Sequence, residues 1–228
     1  MTSNREEYLK AIWYLGGRER RVPMKEITQR LNVQSASVTE MLGRLTREGL
    51  LKYEPYHGVR LSEKGIQICT DLVRSHELWE VFLVEHLGYR TSEAHREADI
   101  LEHATSPKLM EHLDQFLNYP EHCPHGAQVP RPGLLDDKRD LVKLTDTDLF
   151  DHVEIARIDE DYDLLNYLDK LNLHVGDCFE LLEFGDYGGP LKMRNLAQPE
   201  KSFELSLKAA EKIEVLLLDP KELAEDIF

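Results

Sequence analysis

The sequence predicts a mainly α protein with a small β component: an N-terminal winged helix-turn-helix, a helical middle region and a small C-terminal β-barrel. Three observations predict this fold class. Apolar positions recur at helical spacing through residues 4–70, with one hairpin pattern near their end. Residues 71–118 have the pattern of two or more long helices, whereas residues 152–228 alternate short β-rich runs with turns. The corresponding domains span residues 1–70, 71–140 and 141–228.

A helix-turn-helix is predicted by three apolar patterns in succession. Helices are expected around residues 8–15, around residues 22–31 and from residue 34 onward. Only Asn32 and Val33 separate the second helix from the third, a connection short enough for a helix-turn-helix.

The third helix opens with small residues that suit a DNA groove. Small side chains let the first turn enter a major groove about 12 Å wide, where polar groups reach phosphates and base edges. Simple capping of the helix by its serines is the alternative. The predicted DNA-binding residues are Gln34, Ser35, Ala36, Ser37 and Thr39.

A hairpin follows the third helix and predicts the wing. Residues 51–54 and 59–62 flank Pro55-Tyr56-His57-Gly58, a turn that contains glycine. The Ser62–Gly65 segment then starts the next helix.

Charge is distributed unevenly along the chain. Its 228 residues carry a net charge of −15, which by itself argues against a nucleic-acid partner. Residues 1–70, however, contain 12 Lys and Arg against 8 Asp and Glu, and the remaining residues contain 16 against 35. A basic head can approach phosphates while an acidic body repels them or holds cations. A solvated acidic surface is the plain alternative.

The sequence also limits the class of protein. No apolar run approaches the roughly 18 residues of a transmembrane helix, and the first residues lack a secretory apolar stretch. Three widely spaced cysteines do not form a disulfide framework and suit a reducing compartment. We therefore expect a cytoplasmic protein with no membrane partner.

The middle region places metal-ligating groups on two helix faces. His76 and Glu80 are i and i+4 on one face. Facing helices can hold a metal ion in this way, and imidazole with carboxylate suits Mn²⁺, Fe²⁺ or Zn²⁺. Solvated amphipathic helices are the alternative. The second face carries four further groups: His95, Asp99, Glu102 and His103.

Two later segments offer more ligands. Cys123 and His125 are two residues apart in the turn Cys-Pro-His-Gly, a spacing at which thiolate and imidazole can chelate one ion. Residues 159–161 are three acids after an apparent strand, and they could close a site from another domain.

Several motifs in order resemble the diphtheria toxin repressor family, in its manganese-responsive branch. The resemblance covers nearly the full length. It implies a dimeric, metal-dependent repressor with a helical dimerisation domain and an SH3-like C-terminal domain. It also implies a palindromic DNA operator and control of metal-homeostasis genes, those for metal uptake in particular. The motifs are EEYLK (6–10), RSHELWEVFLVEHLGY (74–89), AHREADILEH (94–103), CPHG (123–126) and NLHVGD (172–177).

The resemblance also implies two metal positions. A hinge site would use Glu7, Asp99, Glu102 and His103, and an interdomain site would use Glu80, Cys123, His125 and Glu160. His95 and Asp163 match ligand positions of some members, and the grouping of His76 and His95 stays open.

The expected metal is Mn²⁺, with Fe²⁺ and Zn²⁺ as alternatives. Iron-sensing relatives carry Met and Cys at the positions of Glu7 and Asp99, and hard oxygen donors suit Mn²⁺ better than sulfur does. Cys123 keeps the other two metals open. Lys10 stands where manganese-only members often have Glu, which argues against their compact two-metal cluster.

Two other functions are alternatives to a metal-dependent repressor. A metal-dependent hydrolase needs an open coordination position and a substrate cleft, and no His-Glu-x-x-His motif is present. A winged-helix regulator of a small organic ligand would leave the His and Glu faces solvated. We expect neither, and therefore no enzyme. Residues 78–118 are expected to form a C2 dimer interface, because the apolar residues between 78 and 87 are too many for one helix face.

Overall fold

The computed structural model describes residues 3–54, 57–131, 137 and 139–219. Within these residues, no helix is long and apolar enough to cross a membrane. The chain forms three regions in series, each with its own apolar core.

The N-terminal region is the predicted helix-turn-helix. Its helices are α1 (Ser3–Tyr14), α2 (Met24–Leu31) and α3 (Ser35–Arg47). Asn32 ends α2 in the left-handed conformation, with φ of 51°, which asparagine tolerates better than most residues. This tight exit lets α3 begin a few residues later and pack across α2.

The predicted wing is an antiparallel hairpin of β1 (Leu51–Glu54) and β2 (Gly58–Leu61). Gly58 has φ of +98°, and a Cβ there would lie 2.4 Å from the carbonyl oxygen of Val22. Glycine is therefore required where the wing meets the helical core. Pro55 and Tyr56 of the predicted turn lie outside the described residues.

The middle region begins with one long helix, α4 (Glu63–Leu87), which the Ser62 side chain caps by accepting from the Gly65 N–H. It continues with α5 (Thr91–Leu101), a 3₁₀ turn at Glu102–Ala104 and α6 (Pro107–Phe116). The helix α4 runs without a break across the predicted boundary at residues 70 and 71.

The apolar residues expected at the dimer interface divide into two groups. Leu78, Val81 and Leu83 are buried within the chain itself. Leu87 is 55% exposed, and Phe116 on α6 is 62% exposed. Leu87 and Phe116 are therefore available for contact with another protein.

The C-terminal region is an open sheet of six antiparallel strands, in the order β3-β8-β4-β5-β6-β7. The sheet predicted as a small β-barrel is present but open, because β3 and β7 do not pair among the described residues and a closed barrel requires its first and last strands to pair. The strand β3 has only two residues. The strands are β3 (Val142–Lys143), β4 (His152–Ile158), β5 (Cys178–Phe184), β6 (Leu191–Asn195), β7 (Ser202–Leu205) and β8 (Ile213–Leu217).

Two helices pack on this sheet that the sequence pattern did not indicate. The first, α7 (Tyr162–Leu171), begins at the cap Asp161 and buries three leucines against the strands. The second, α8 (Leu207–Ala210), begins after the cap Ser206, directly beyond β7. Both helices begin at these caps, because each capping side chain accepts hydrogen bonds from N–H groups in the first turn of its helix.

Candidate metal centre

Two helices bring imidazole and carboxylate groups together in the middle region. On α4, His76 Nε2 lies 3.1 Å from Glu80 Oε1. His95 on α5 places its Nδ1 2.8 Å from the same oxygen. All three side chains are buried. The predicted face-to-face arrangement of α4 and α5 is therefore present.

The Cys-Pro-His-Gly turn enters the same cluster from the side. His125 Nδ1 lies 2.8 Å from Glu80 Oε2, and Cys123 Sγ lies 3.2 Å from His125 Nδ1. Gly126 makes the approach possible, because it has φ of +85° and a Cβ would lie 2.0 Å from the carbonyl oxygen of Ala156. The turn is thus pressed against β4 of the C-terminal sheet.

Glu160 completes this group from the C-terminal region. It follows β4, and its Oε1 lies 3.3 Å from His125 Nε2. We name Glu80, Cys123, His125 and Glu160 the interdomain cluster, since they come from α4, the Cys-Pro-His-Gly turn and the sheet domain.

The interdomain cluster is electrostatically strained. Burial favours the neutral form of each group, but hydrogen bonding to His125 holds the pKa of Glu160 at about 2. Burial and the charge of Glu77 raise the pKa of the Cys123 thiol well above its usual value. Burial lowers the pKa of His125, yet Cys123 and Glu80 raise it well above normal. A divalent cation would replace protons as the neutralising charge here.

A second group joins the DNA-binding region to the middle region. His103, in the 3₁₀ turn after α5, lies 2.9 Å through Nε2 from Glu7 Oε1 and 2.7 Å through Nδ1 from Glu6 Oε2. Glu7, Glu102 and His103 offer ligand atoms within 4.8 Å of one another. We name these three residues the hinge cluster. Glu6 was not among the predicted ligands, although it directly precedes Glu7.

Lys10 occupies the space between the two clusters. Its Nζ lies 2.7 Å from Glu102 Oε2, 2.8 Å from Asp99 Oδ1 and 3.1 Å from His76 Nδ1. Burial would lower the pKa of Lys10, but these carboxylates, Glu102 foremost, hold it above its usual value. An ammonium ion therefore compensates the charge of Asp99 and Glu102 where a further metal ion would otherwise be needed.

His76 contacts both clusters, which bears on the grouping that the sequence left open. Its Nε2 faces Glu80, while its Nδ1 lies 2.6 Å from Glu102 Oε2. Burial lowers the pKa of His76, but Glu80 and Glu102 raise it to about 10. His95, by contrast, lies with Glu80 on the interdomain side.

Two residues depart from the predicted set. Glu77, which the sequence did not single out, is buried and groups with Glu80, Cys123 and His125 within 4.8 Å. Asp163 is exposed at the start of α7 and belongs to no such group among the described residues. A ligand spacing of i, i+3 relative to Glu80 is the signal that could have identified Glu77.

The clusters fit a divalent cation. Both oxygens of Glu77 and Oε1 of Glu102 are buried without a hydrogen-bond partner in the described part of the chain. Buried carboxylate oxygens are normally paired, so these are positions where a cation is favoured. A cleft of about 620 Å³ reaches this depth, and Glu77, His125 and Glu160 are among its lining residues.

Comparison with known proteins identifies the family. The family model of the iron dependent repressor N-terminal DNA binding domain matches residues 1–59 of this chain. The model of the iron dependent repressor metal binding and dimerisation domain matches residues 62–131. An uncharacterized HTH-type transcriptional regulator of Methanocaldococcus jannaschii is 40% identical over 119 residues, covering 51% of this chain and 94% of that protein. The chain belongs to the iron-dependent repressor family. A FeoA domain model matches residues 142–217 of this repressor, in agreement with an SH3-like C-terminal domain.

Solved structures of related repressors cover nearly the whole chain. A manganese-dependent transcriptional repressor in complex with manganese matches with a TM-score of 0.82 and 29% identity, covering 94% of this chain and 100% of that one. The structure of ScaR with bound Zn²⁺ matches with a TM-score of 0.78 and 37% identity, at the same coverage. The predicted diphtheria toxin repressor family and its function, metal-dependent DNA-binding repression, are confirmed. The family consists of repressors, so the hydrolase interpretation is excluded.

The predicted DNA-reading residues of this repressor lie at one end of α3. All are exposed, whereas Val38, Leu42 and Leu45 on the opposite face are buried against the core. Thr39 already donates its hydroxyl to the carbonyl oxygen of Ser35. The exposed set is Gln34, Ser35, Ala36, Ser37 and Thr39.

Proposed function

We propose that this repressor is switched on by Mn²⁺, and that the ion locks the orientation of its DNA-binding region. The main support is the contact of Glu7 on α1 with His103 beyond α5. This contact joins the DNA-binding region to the metal-binding region. Fe²⁺ and Zn²⁺ are the alternative ions.

Two centres are proposed. The interdomain centre uses Glu80, Cys123, His125 and Glu160, with His95 beside Glu80. The hinge centre uses Glu7, Asp99, Glu102 and His103, with His76 between the two. Support comes from the short distances within each cluster and from buried carboxylate oxygens that lack partners among the described residues. Asp163 stays a prediction without such support.

In the metal-free protein, mutual repulsion of carboxylates would loosen the contact between the DNA-binding region and the middle region. Glu7 is the only predicted ligand on α1, and loss of the cation would leave it beside Glu102 with like charge. The DNA-binding region would then sample several orientations. A cation that binds one orientation better shifts the population toward it, with a coupling of about 1–3 kcal/mol as a typical magnitude.

Manganese is favoured by the hard donors at the hinge. Glu7, Asp99 and Glu102 all offer oxygen, which Mn²⁺ prefers over sulfur. A related manganese-dependent repressor was solved in complex with manganese. Cys123 at the interdomain centre suits Zn²⁺ as well, and the related ScaR was solved with bound Zn²⁺.

We further propose a homodimer on a palindromic operator, acting in the cytoplasm on genes of metal homeostasis, metal uptake above all. The matched family model is a dimerisation domain, and Leu87 and Phe116 are exposed on its surface. A C2 dimer presents two α3 helices to half-sites about one helical turn, or a multiple of it, apart.

Selection of DNA from a random duplex library tests this proposal. The full chain is incubated anaerobically with Mn²⁺, Fe²⁺, Zn²⁺ or a chelator, and the enriched duplex is then titrated under each condition. We expect an inverted repeat that binds tightly with Mn²⁺ and at least tenfold more weakly with chelator, as a coupling of about 1.4 kcal/mol or more requires. Equal affinity with chelator and with every metal would contradict the proposal.

A further inference from the structure

Glu77 is a fully buried carboxylate without a hydrogen-bond partner in the described part of the chain. It lies on α4 directly after His76 and three residues before Glu80, and its exposed fraction is 0%. Neither of its oxygens has a hydrogen-bond partner among the residues that the structure describes. Burial of an unpaired carboxylate opposes folding, so such a group needs a compensating cation or proton.

Asp114 is another buried carboxylate of this chain, but it has two arginine partners. It is equally inaccessible, but Arg74 and Arg131 both donate to it. Burial raises the pKa of Glu77 to about 8; the charge of His125 opposes this shift, and the carboxylates of Glu160 and Glu80 add to it. Glu77 therefore lies in a place that is already acidic, where a bound cation would favour its charged form.

The geometry places Glu77 within ligand distance of the interdomain cluster. Its Oε2 lies 3.9 Å from His125 Nε2. One ligand atom from each of Glu77, Glu80, Cys123 and His125 lies within 4.8 Å of the others. Donors that surround one ion at about 2.1–2.3 Å are separated by up to about 4.5 Å, so small side-chain movements suffice for joint ligation.

We propose that Glu77 is a fifth ligand of the ion at the interdomain centre and favours Mn²⁺ over Zn²⁺ there. The proposal rests on the metal-dependent function proposed above and adds a residue to its site. A set of four donors with thiolate and imidazole suits tetrahedral Zn²⁺. One more carboxylate raises both the number of donors and their oxygen content, which Mn²⁺ prefers.

The test compares Glu77→Gln with Glu85→Gln in the full chain. Glutamine keeps the shape of Glu77 and removes its charge, and Glu85 is exposed on the same helix, so it controls for loss of one acid from α4. Mn²⁺ and Zn²⁺ are titrated separately by calorimetry, with bound Mn²⁺ also followed by electron paramagnetic resonance.

We expect Glu77→Gln to weaken Mn²⁺ at one centre by about 10-fold to 100-fold, the range for groups that tune a metal site, and to change Zn²⁺ only a few-fold. The hinge centre and Glu85→Gln should match wild type. Mn²⁺ binding by Glu77→Gln equal to that of Glu85→Gln would overturn the assignment of Glu77. Equal losses for both metals would overturn its selectivity.

Thermal melting separates ligation from a structural role. Metal-free Glu77→Gln should melt at or above the wild-type temperature, because the substitution removes a carboxyl group whose ionised form burial disfavours. A lower melting temperature with unchanged Mn²⁺ affinity would show that Glu77 supports the fold instead. Wild-type protein that bound no Mn²⁺ would overturn the proposed function as well, whereas wild-type binding retained by Glu77→Gln would overturn only this inference.

Discussion

His103 Nε2 lies 2.9 Å from Glu7 Oε1, so a side chain beyond α5 contacts α1 of the DNA-binding region. This is a direct physical connection between a metal-ligating group and the region that carries α3.

Replacement of His103 by Ala removes a proposed hinge ligand and its contacts with α1. We expect the Mn²⁺ concentration needed for DNA binding to rise by about 10-fold to 100-fold, corresponding to about 1–3 kcal/mol of coupling. Fluorescence anisotropy of labelled DNA measures this. His112→Ala removes an exposed imidazole from α6 and serves as the control. An unchanged Mn²⁺ response of the His103 variant would count against the hinge centre.

Replacement of Ser37 by Glu places a carboxylate on the exposed end of α3. Repulsion by phosphates should abolish operator binding at concentrations that saturate wild type, while Mn²⁺ binding stays unchanged. Ser202→Glu adds the same charge on the exposed strand β7 and should bind DNA normally. Retained operator affinity of the Ser37 variant would show that this end of α3 does not face DNA.

Replacement of Lys10 by Met removes the ammonium ion that lies between Asp99 and Glu102. The metal-free protein should lose about 3 kcal/mol of unfolding free energy, because buried acids lose their counter-charge. Mn²⁺ should restore part of this loss by supplying another cation. Chemical denaturation with and without Mn²⁺ measures both effects, with the exposed Lys64→Met as control. Equal stability of the two metal-free variants would mean that Lys10 does not compensate these acids.

Replacement of Asp114 by Ala leaves Arg74 and Arg131 without their shared partner. We expect a loss of about 3 kcal/mol in unfolding free energy at neutral pH, measured by urea denaturation. The exposed Glu97→Ala is the control and should unfold like wild type.

The same carboxylate predicts a pH dependence. Burial alone would raise the pKa of Asp114, but hydrogen bonds from Arg131 and Arg74 hold it below the ordinary value of 3.8. Its stabilisation is therefore complete above that ordinary value and is lost as the pH falls through the lower pKa of the folded protein. Wild type should lose more stability than Asp114→Ala across this acidic range. Parallel curves would exclude the contribution.

The sequence predicts the DNA-binding region well because its signals are local. Helical spacing and the two-residue connection at Asn32 and Val33 are enough to specify α2 and α3. The wing likewise follows from a turn between two short strands. Each of these features depends on neighbours in the chain, which a single sequence contains.

The C-terminal region was predicted less well because caps and strand pairing decide it. Asp161 caps α7 within a region of strand-like runs, and Ser206 follows β7 and caps α8. Whether the sheet closes depends on contacts between β3 and β7, which are distant in sequence. Local pattern does not contain that information.

Glu77 was not predicted as a site residue from the sequence, for a different reason. The helix α4 buries Arg74, Ser75, His76 and Glu77 in succession, so it is enclosed on several faces there. Helical periodicity assigns one buried stripe and therefore places Glu77 beside it. Only the packing of three regions around α4 brings that carboxylate inside.

The unbroken helix α4 limits how the protein can change shape. Its 25 residues extend over about 38 Å, they contain no proline, and their one glycine lies in the first turn. Sharp bends usually occur at proline or similar interruptions, so none is expected between the wing and Glu80. Cys69, near the start of α4, also packs in the core of the DNA-binding region. The recognition helix and α4 must therefore reorient together, with α4 moving as a stiff rod against α5 and the C-terminal region.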